Sequence, residues 1–327
     1  MVPSALDLEI RRIVTDSDLD GVVTGAILRR YWPDAEVVFG HPGELRAGLL
    51  DEFIDCTTAI CDLPMHPECG LSIDHHQSNK PDGIGSKDSI VVWRDSPSAA
   101  RIAFEVFSEA VDLSDLYDLL FWVDKLDGGG ISREEYLSEI PTLLLSRVID
   151  SGEDTAMRVM EFIQNGASIE DILSDSKISI LVQEKQIHME SLTAAIRDRM
   201  VLNDRLALVR LDGLGMRSNG YHVTAMAGDE CDACVIIHGD IGASFGDKGS
   251  YPVSASFYTN SFLHLEGGIF DLTLLATRFD PDGGGHANAC GCRIKPLGPK
   301  GVEDREVSEE DVQRNVEVWQ EMWSKRS

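Results

Sequence analysis

The chain is 327 residues long, enough for two domains with a core in each. Its 29 lysines and arginines face 56 aspartates and glutamates, a formal net charge of -27, which excludes the basic footprint that long or duplex nucleic acid requires. No apolar run reaches the length of a membrane span, the start has no basic and apolar signal segment, and seven scattered cysteines speak for a reducing, cytoplasmic setting.

The first half alternates short apolar runs with amphipathic segments. Residues 10–14 read as a buried strand, followed by a helix over 22–31 that Pro33 stops. A strand at 35–39 and a helix at 45–53 follow, then buried strands at 58–61 and 71–73. Residues 98–110 have Ala99, Ile102, Ala103, Val106 and Phe107 at helical spacing, and a further helix over 116–123 ends before the glycines at 128–130. This alternation predicts an α/β fold with a doubly wound, mainly parallel sheet domain over residues 1–185. Residues 133–200 are almost wholly helical, and 178–200 read as one connecting helix, so 186–204 form a linker. Strand patterns at 206–210, 234–238 and 253–258, a helix at 271–279 and a charged tail define a smaller α/β C-terminal domain with a mixed sheet, residues 205–327.

Three polar clusters stand directly after three of the predicted strands. They are Asp16, Asp18 and Asp20 before Gly21, then Asp62, then Asp74-His75-His76. In open α/β sheets ligands bind at the carboxyl ends of the strands, so the clusters converge on one place. Carboxylates mixed with imidazole suit Mn2+, Mg2+, Fe2+ or Zn2+. Several carboxylates around one bridging Asp point to a two-metal site, the usual arrangement for attacking a phosphate ester. Asp62 is central and is the expected bridge. Asp18 and Asp20 alternate in an extended segment and can reach adjacent ions. His75 is a direct ligand, oriented by a neighbouring acid such as Asp74. Each residue alone has a plainer reading, as a turn, a helix cap or a polar loop; their joint placement favours the metal. Cys231 and Cys234 could join Cys290 and Cys292 in a zinc site, but the second spacing is wrong for a zinc knuckle and small buried hydrophobes are the better reading.

These clusters resemble the motifs of the DHH phosphoesterase superfamily, named for Asp-His-His. The resemblance continues in Gly283-Gly284-Gly285-His286-Ala287-Asn288-Ala289-Cys290-Gly291, which is similar to the signature of the DHH-associated C-terminal domain. Together the motifs span nearly the whole chain. The resemblance implies two Mn2+ ions, with Mg2+ or another divalent metal as alternatives, and a His76 that faces the substrate phosphate. It also implies one further ligand carboxylate beyond the sheet. Asp124 and Asp127 compete for that role, and Asp124, which directly follows the apolar run, is preferred. Gly283, Gly284 and Gly285 can bring backbone N–H groups to a phosphate, with His286 as an added donor. Two positions depart from the family. Val14 stands where many relatives carry a His, which leaves Asp16 or water to complete the first metal's shell. Tyr258 stands where relatives often carry an Arg, which leaves stacking by Tyr258 or charge from Arg278 as substitutes.

The resulting expectation is a metal-dependent phosphodiesterase with Asp62, His75 and His76 at its centre, acting on short oligonucleotides or small nucleotide phosphoesters. Duplex DNA and membranes are not expected partners, and a homodimer is allowed. The alternatives are a pyrophosphatase or polyphosphatase of the same superfamily, or a catalytically weak nucleotide-binding regulatory protein.

Overall fold

The computed structural model describes residues 4–81, 89–244 and 248–326. The chain divides into two compact units, Met1–Ile131 with Ser138–Lys185, and Ser132–Leu137 with Gln186–Ser327.

In the first unit, β1 (Arg12–Thr15), α1 (Leu19–Tyr31), β2 (Glu36–Phe39), α2 (Pro42–Arg46), β3 (Thr58–Cys61), β4 (Leu71–Asp74) and β5 (Ile90–Trp93) lead to α3 (Ala99–Phe107) and α4 (Tyr117–Asp127). The five strands form one parallel sheet in the order β2-β1-β3-β4-β5. Side chains alternate between its faces. Ile13, Ala59, Cys61, Leu71 and Ile73 join a large core with α1, α3 and α4, whereas Val14 and Ile60 join a smaller cluster with Leu45, Leu50 and Leu63. Val14 is thus an apolar core residue. After α4, the short α5 (Arg133–Tyr136) belongs to the second unit, and α6 (Pro141–Ile149), α7 (Glu153–Gln164), α8 (Ile169–Ser174) and the start of α9 (Ser176–Arg199) complete the first.

The helix expected at 45–53 is broken. It ends at Arg46, Gly48 takes a φ of 73°, and the chain resumes as the single turn Asp51–Phe53. The edge strand β5 was not foreseen. Because every strand is parallel, all carboxyl ends lie on one side, and the loops after β1, β3, β4 and β5 meet there.

In the second unit, β6 (Met200–Asn203) emerges directly from α9, within the stretch expected as linker. Then come β7 (Leu206–Arg210), α10 (Gly220–Ala227), β8 (Ala233–His238), β9 (Ser254–Thr259), α11 (Thr273–Ala276), β10 (Gly284–His286), β11 (Ala289–Arg293), the two-residue strands β12 (Leu297–Gly298) and β13 (Gly301–Val302), and α12 (Glu309–Ser324). The helix expected at 271–279 shrinks to α11. The main sheet runs β10-β11-β9-β8-β7-β6 and is mixed, with β7 and β8 parallel. One face packs Val235, Ile237, Phe257, Cys290 and Cys292 against Trp319 and Trp323 of α12. The other packs Val209, Cys231, Cys234 and Ile236 against Leu192, Ile196 and Val223. The two cysteine pairs therefore lie on opposite faces of the sheet and cannot share one ion. No helix among the described residues is long and apolar enough to cross a membrane.

Candidate metal centre

The loop after β1 turns straight into α1. Asp18 caps that helix, its Oδ1 accepting the Gly21 N–H at 2.9 Å. Asp20 sits in the first turn and is buried, and its two oxygens accept the N–H groups of Ala99 and Ala100, both at 2.7 Å. Those amides open α3, so the carboxylate rests on the positive end of a helix. Asp62 follows β3 with a φ of 57°, a left-handed conformation that costs most residues free energy and that Asp tolerates better than most. Its own N–H donates to Ile73 at 2.9 Å, which fixes it beside β4.

Asp74 ends β4. Its Oδ1 accepts the main-chain N–H groups of His75 and His76 at 2.8 and 3.1 Å, and lies 2.9 Å from His76 Nδ1. Asp74 thus orients His76, not His75 as expected. His75 Nδ1 is 3.1 Å from the Ser96 carbonyl oxygen. A carbonyl only accepts, so Nδ1 carries the proton and Nε2 is directed at the cluster. Around Nε2 lie Asp127 Oδ2 at 2.9 Å, Asp62 Oδ1 at 3.6 Å and Asp20 Oδ2 at 3.8 Å. Asp62 Oδ1, Asp127 Oδ2 and His75 Nε2 are all buried without an aligned hydrogen-bond partner. Such atoms crowded together need a proton or a cation between them.

The electrostatics carry the same message. Burial pushes Asp18 up to about 6, offset in part by the Gly21 amide. Burial, then Asp127 and Asp18, pushes Asp20 up to about 7 despite its two amide donors. Asp62 is raised well above the usual carboxylate range by burial and then by Asp20. Burial works against charge on His75, but Asp127 and Asp62 beside it raise its pKa to about 11. The hydrogen bond to Asp74 raises that of His76. A divalent ion would relieve this crowding of negative groups, and hard oxygens with one or two imidazoles suit Mn2+ or Mg2+.

Among the described residues, two groups have ligand atoms within 4.8 Å of one another, Asp62 with His75 and His76, and Asp20 with His75 and Asp127. The preference for Asp124 is corrected here. Asp124 Oδ1 accepts the Ser98 hydroxyl at 2.7 Å and Oδ2 accepts the Arg101 guanidinium, so both oxygens are committed to the start of α3. Helix α4 runs one turn past the apolar stretch and delivers Asp127 instead. Asp16 and Asp18 stand outside both groups, and Asp16 Oδ1 lies 3.2 Å from His41 Nδ1. The Ser96 carbonyl had no signal in the sequence, since a main-chain acceptor leaves no residue type to read.

In the second unit, Gly284, Gly285 and His286 form β10, paired with Gly291, Cys290 and Ala289. A side chain at Gly283 would meet the Ala276 carbonyl at 2.6 Å, and one at Gly285 the Ala289 carbonyl at 2.7 Å, whereas Gly284 faces open space. Two of the three glycines are thus required by packing. His286 is exposed. Tyr258 packs over Gly220 and lines a cavity of about 230 Å³ with Tyr221, Thr259 and Asn288. Arg278 is exposed, with its guanidinium 5.2 Å from the Phe279 ring centroid.

No family model and no curated protein matches the chain. Solved structures do. The pGpG-specific phosphodiesterase PggH of Vibrio cholerae aligns over 97% of this chain and 99% of its own, at 21% identity and a TM-score of 0.76. The exonuclease RecJ bound to manganese aligns over 98% and 93%, at 13% identity and a TM-score of 0.51. The DHH domain of a member of the S1p family of ribosomal proteins aligns over 98% and 88%, at 14% identity and a TM-score of 0.52. The chain has the fold that these structures share, with Asp74-His75-His76 at the end of β4.

Proposed function

We propose that the chain is a metal-dependent phosphodiesterase that hydrolyses short oligonucleotides or small nucleotide phosphodiesters. One observation carries the reading: Asp62 Oδ1, Asp127 Oδ2 and His75 Nε2 are buried and crowded together without an aligned hydrogen bond. Asp20, Asp62, His75 and Asp127 would hold the metal, with Asp18 and Asp16 next in reach and Asp62 shared between two ions. Divalent ions held there supply positive charge to a phosphoryl oxygen as it becomes more negative. The Ser96 carbonyl keeps the proton on His75 Nδ1 and so leaves Nε2 to the site. Asp74 holds His76 at Nδ1, so a protonated His76 carries a second proton at Nε2 for a substrate phosphate, and its side chain is 45% exposed. In the second unit, His286 on its exposed hairpin is a candidate contact for a phosphate or a base.

The net charge of -27 favours a short substrate over a long polyanion. PggH is a pGpG-specific phosphodiesterase, which supports placing dinucleotides among the substrates here. Seven free cysteines support a cytoplasmic location. The test is a panel of short RNA, cyclic dinucleotide, phosphoadenosine phosphate and pyrophosphate with Mn2+. Hydrolysis of the short RNA is expected. Turnover of pyrophosphate alone would replace this reading with that of a pyrophosphatase, and turnover of none would end it.

A further inference from the structure

The outer rim of the first sheet holds a lysine that makes no ion pair among the described residues. β5 is the edge strand, and its last residue, Trp93, is half-buried. The Trp93 indole N–H donates to the main-chain carbonyl of His76 at 2.9 Å. The ammonium of Lys80 lies 5.0 Å from the centroid of the same indole ring. Lys80 follows the single turn Gln77–Asn79 that leaves the His pair, and the Gln77 side chain donates to Asp95 at 3.2 Å. Nearby Arg94 and Arg101 are neutralised by Glu105 and Asp124. Lys80 is held differently. An aromatic face seats a cation without cancelling its charge. In a chain with 56 acids against 29 bases, a cation that pairs with no acid among the described residues beside the candidate centre has an anion to meet.

We propose that Lys80 binds a second phosphate of the substrate, one that is not cleaved, and that Trp93 is a positioning residue holding both Lys80 and the His76 main chain. The inference rests on the phosphodiesterase reading. The scissile phosphate belongs at the carboxylate cluster and His76. Lys80 stands beyond His76, toward the free edge of the sheet. A substrate extending that way brings its next phosphate to the ammonium, a compact charge suited to a terminal phosphate. The preferred substrate class is therefore a dinucleotide or short oligonucleotide carrying a terminal phosphate.

The experiment uses the full chain with Mn2+ and three ligands: a dinucleoside monophosphate and its 5′- and 3′-phosphorylated forms. Lys80→Gln should lower kcat/KM on one phosphorylated form about ten- to a hundred-fold more than on the unphosphorylated one, chiefly through KM, as expected for losing a hydrogen bond to a charged partner. Lys80→Arg should restore part of the difference. Trp93→Phe keeps a ring beneath Lys80 but loses the donor to His76, so it should lower kcat on all three ligands more than it raises KM. Binding of the fluorescently labelled ligands with metal chelated should show the same ranking. An equal loss on all ligands with Lys80→Gln, or no loss, overturns the proposal. If the wild-type chain hydrolyses none of them, the phosphodiesterase reading fails separately, and the difference in binding between phosphorylated and unphosphorylated ligand decides the role of Lys80.

Discussion

Buried acids behave in opposite ways in the two units. In the second unit, Asp232 is met by Arg205 and His264, Asp280 by Lys295 and Arg293, and Asp311 by Arg305. Arg205 first, and His264 after it, hold Asp232 below the usual range. Burial works upward on Asp280, but the Arg293 amide and Lys295 keep it low. In the first unit Asp20 and Asp62 are just as buried, their close charged neighbours among the described residues are His75 and other acids, and they are pushed up. The same residue type is structural where a cation of the chain completes it, and incomplete where none does. An incomplete site costs stability, and it survives where function needs it.

The sharpest way to break this contrast is at Asp62. Asn tolerates the left-handed backbone and keeps the shape, so Asp62→Asn isolates the charge. Turnover should fall about a thousand-fold or more with little change in Tm; near-normal turnover at saturating Mn2+ would remove the shared-ligand assignment. Next come the two acids of α4. Asp127→Ala should weaken metal binding by at least about ten- to a hundred-fold, judged against what loss of a mere supporting contact costs a metal site. Asp124→Ala should leave metal content intact and lower Tm, because it strips Arg101 and Ser98 of their partner. Metal analysis of both variants gives the answer, and the reverse pattern restores Asp124 as the ligand.

On the second unit, His286→Ala should reduce kcat/KM for nucleotides about ten- to a hundred-fold while metal content stays intact. The loss should be smaller on pyrophosphate, and no loss on either substrate would leave the hairpin purely structural. The smallest effect is on stability. Asp18 and Asp20 titrate near 6 and 7 in the folded chain, above their ordinary 3.8. Their contribution to stability is therefore full below about pH 4 and lost as pH rises through 6 to 7. The metal-free chain should lose Tm across that window. Mn2+ at a hundred times its Kd at pH 5 should add about 2.7 kcal/mol there, and the same concentration should add more at higher pH, where the ligands shed their protons freely. Calorimetry with chelator and with Mn2+ at pH 5 and pH 8 measures both; a metal-induced shift that shrinks as pH rises would contradict the ligand set.

Much of the first unit could be read from the chain because parallel strands place polar groups right after apolar runs. The places of Asp62 and His75 just after strands are legible that way in the sequence. The choice between Asp124 and Asp127 is not, since an apolar run marks where a helix stops being buried and not where it ends. Strand β5 escaped because its four residues are only half-buried at an edge, with no polar ligand after them. The expected helix at 271–279 failed because helical spacing of apolar residues says nothing of the caps: the Asp271 side chain accepts from Thr273, and Gly283 needs the chain at Ala276 pressed against it. The link from Trp93 to His76 joins a side chain to a main-chain carbonyl, a pairing with no residue pattern.

Asp20 has one further consequence. Both of its oxygens accept the amides that begin α3. Any change in the charge of that carboxylate, by proton or by ion, alters the hold on the first turn of the helix. The Ala99 and Ala100 amides are therefore natural reporters of occupancy, readable by chemical shift or hydrogen exchange without substrate. Their protection should follow the titration of Mn2+, so that filling of the centre can be observed from the backbone of a neighbouring helix.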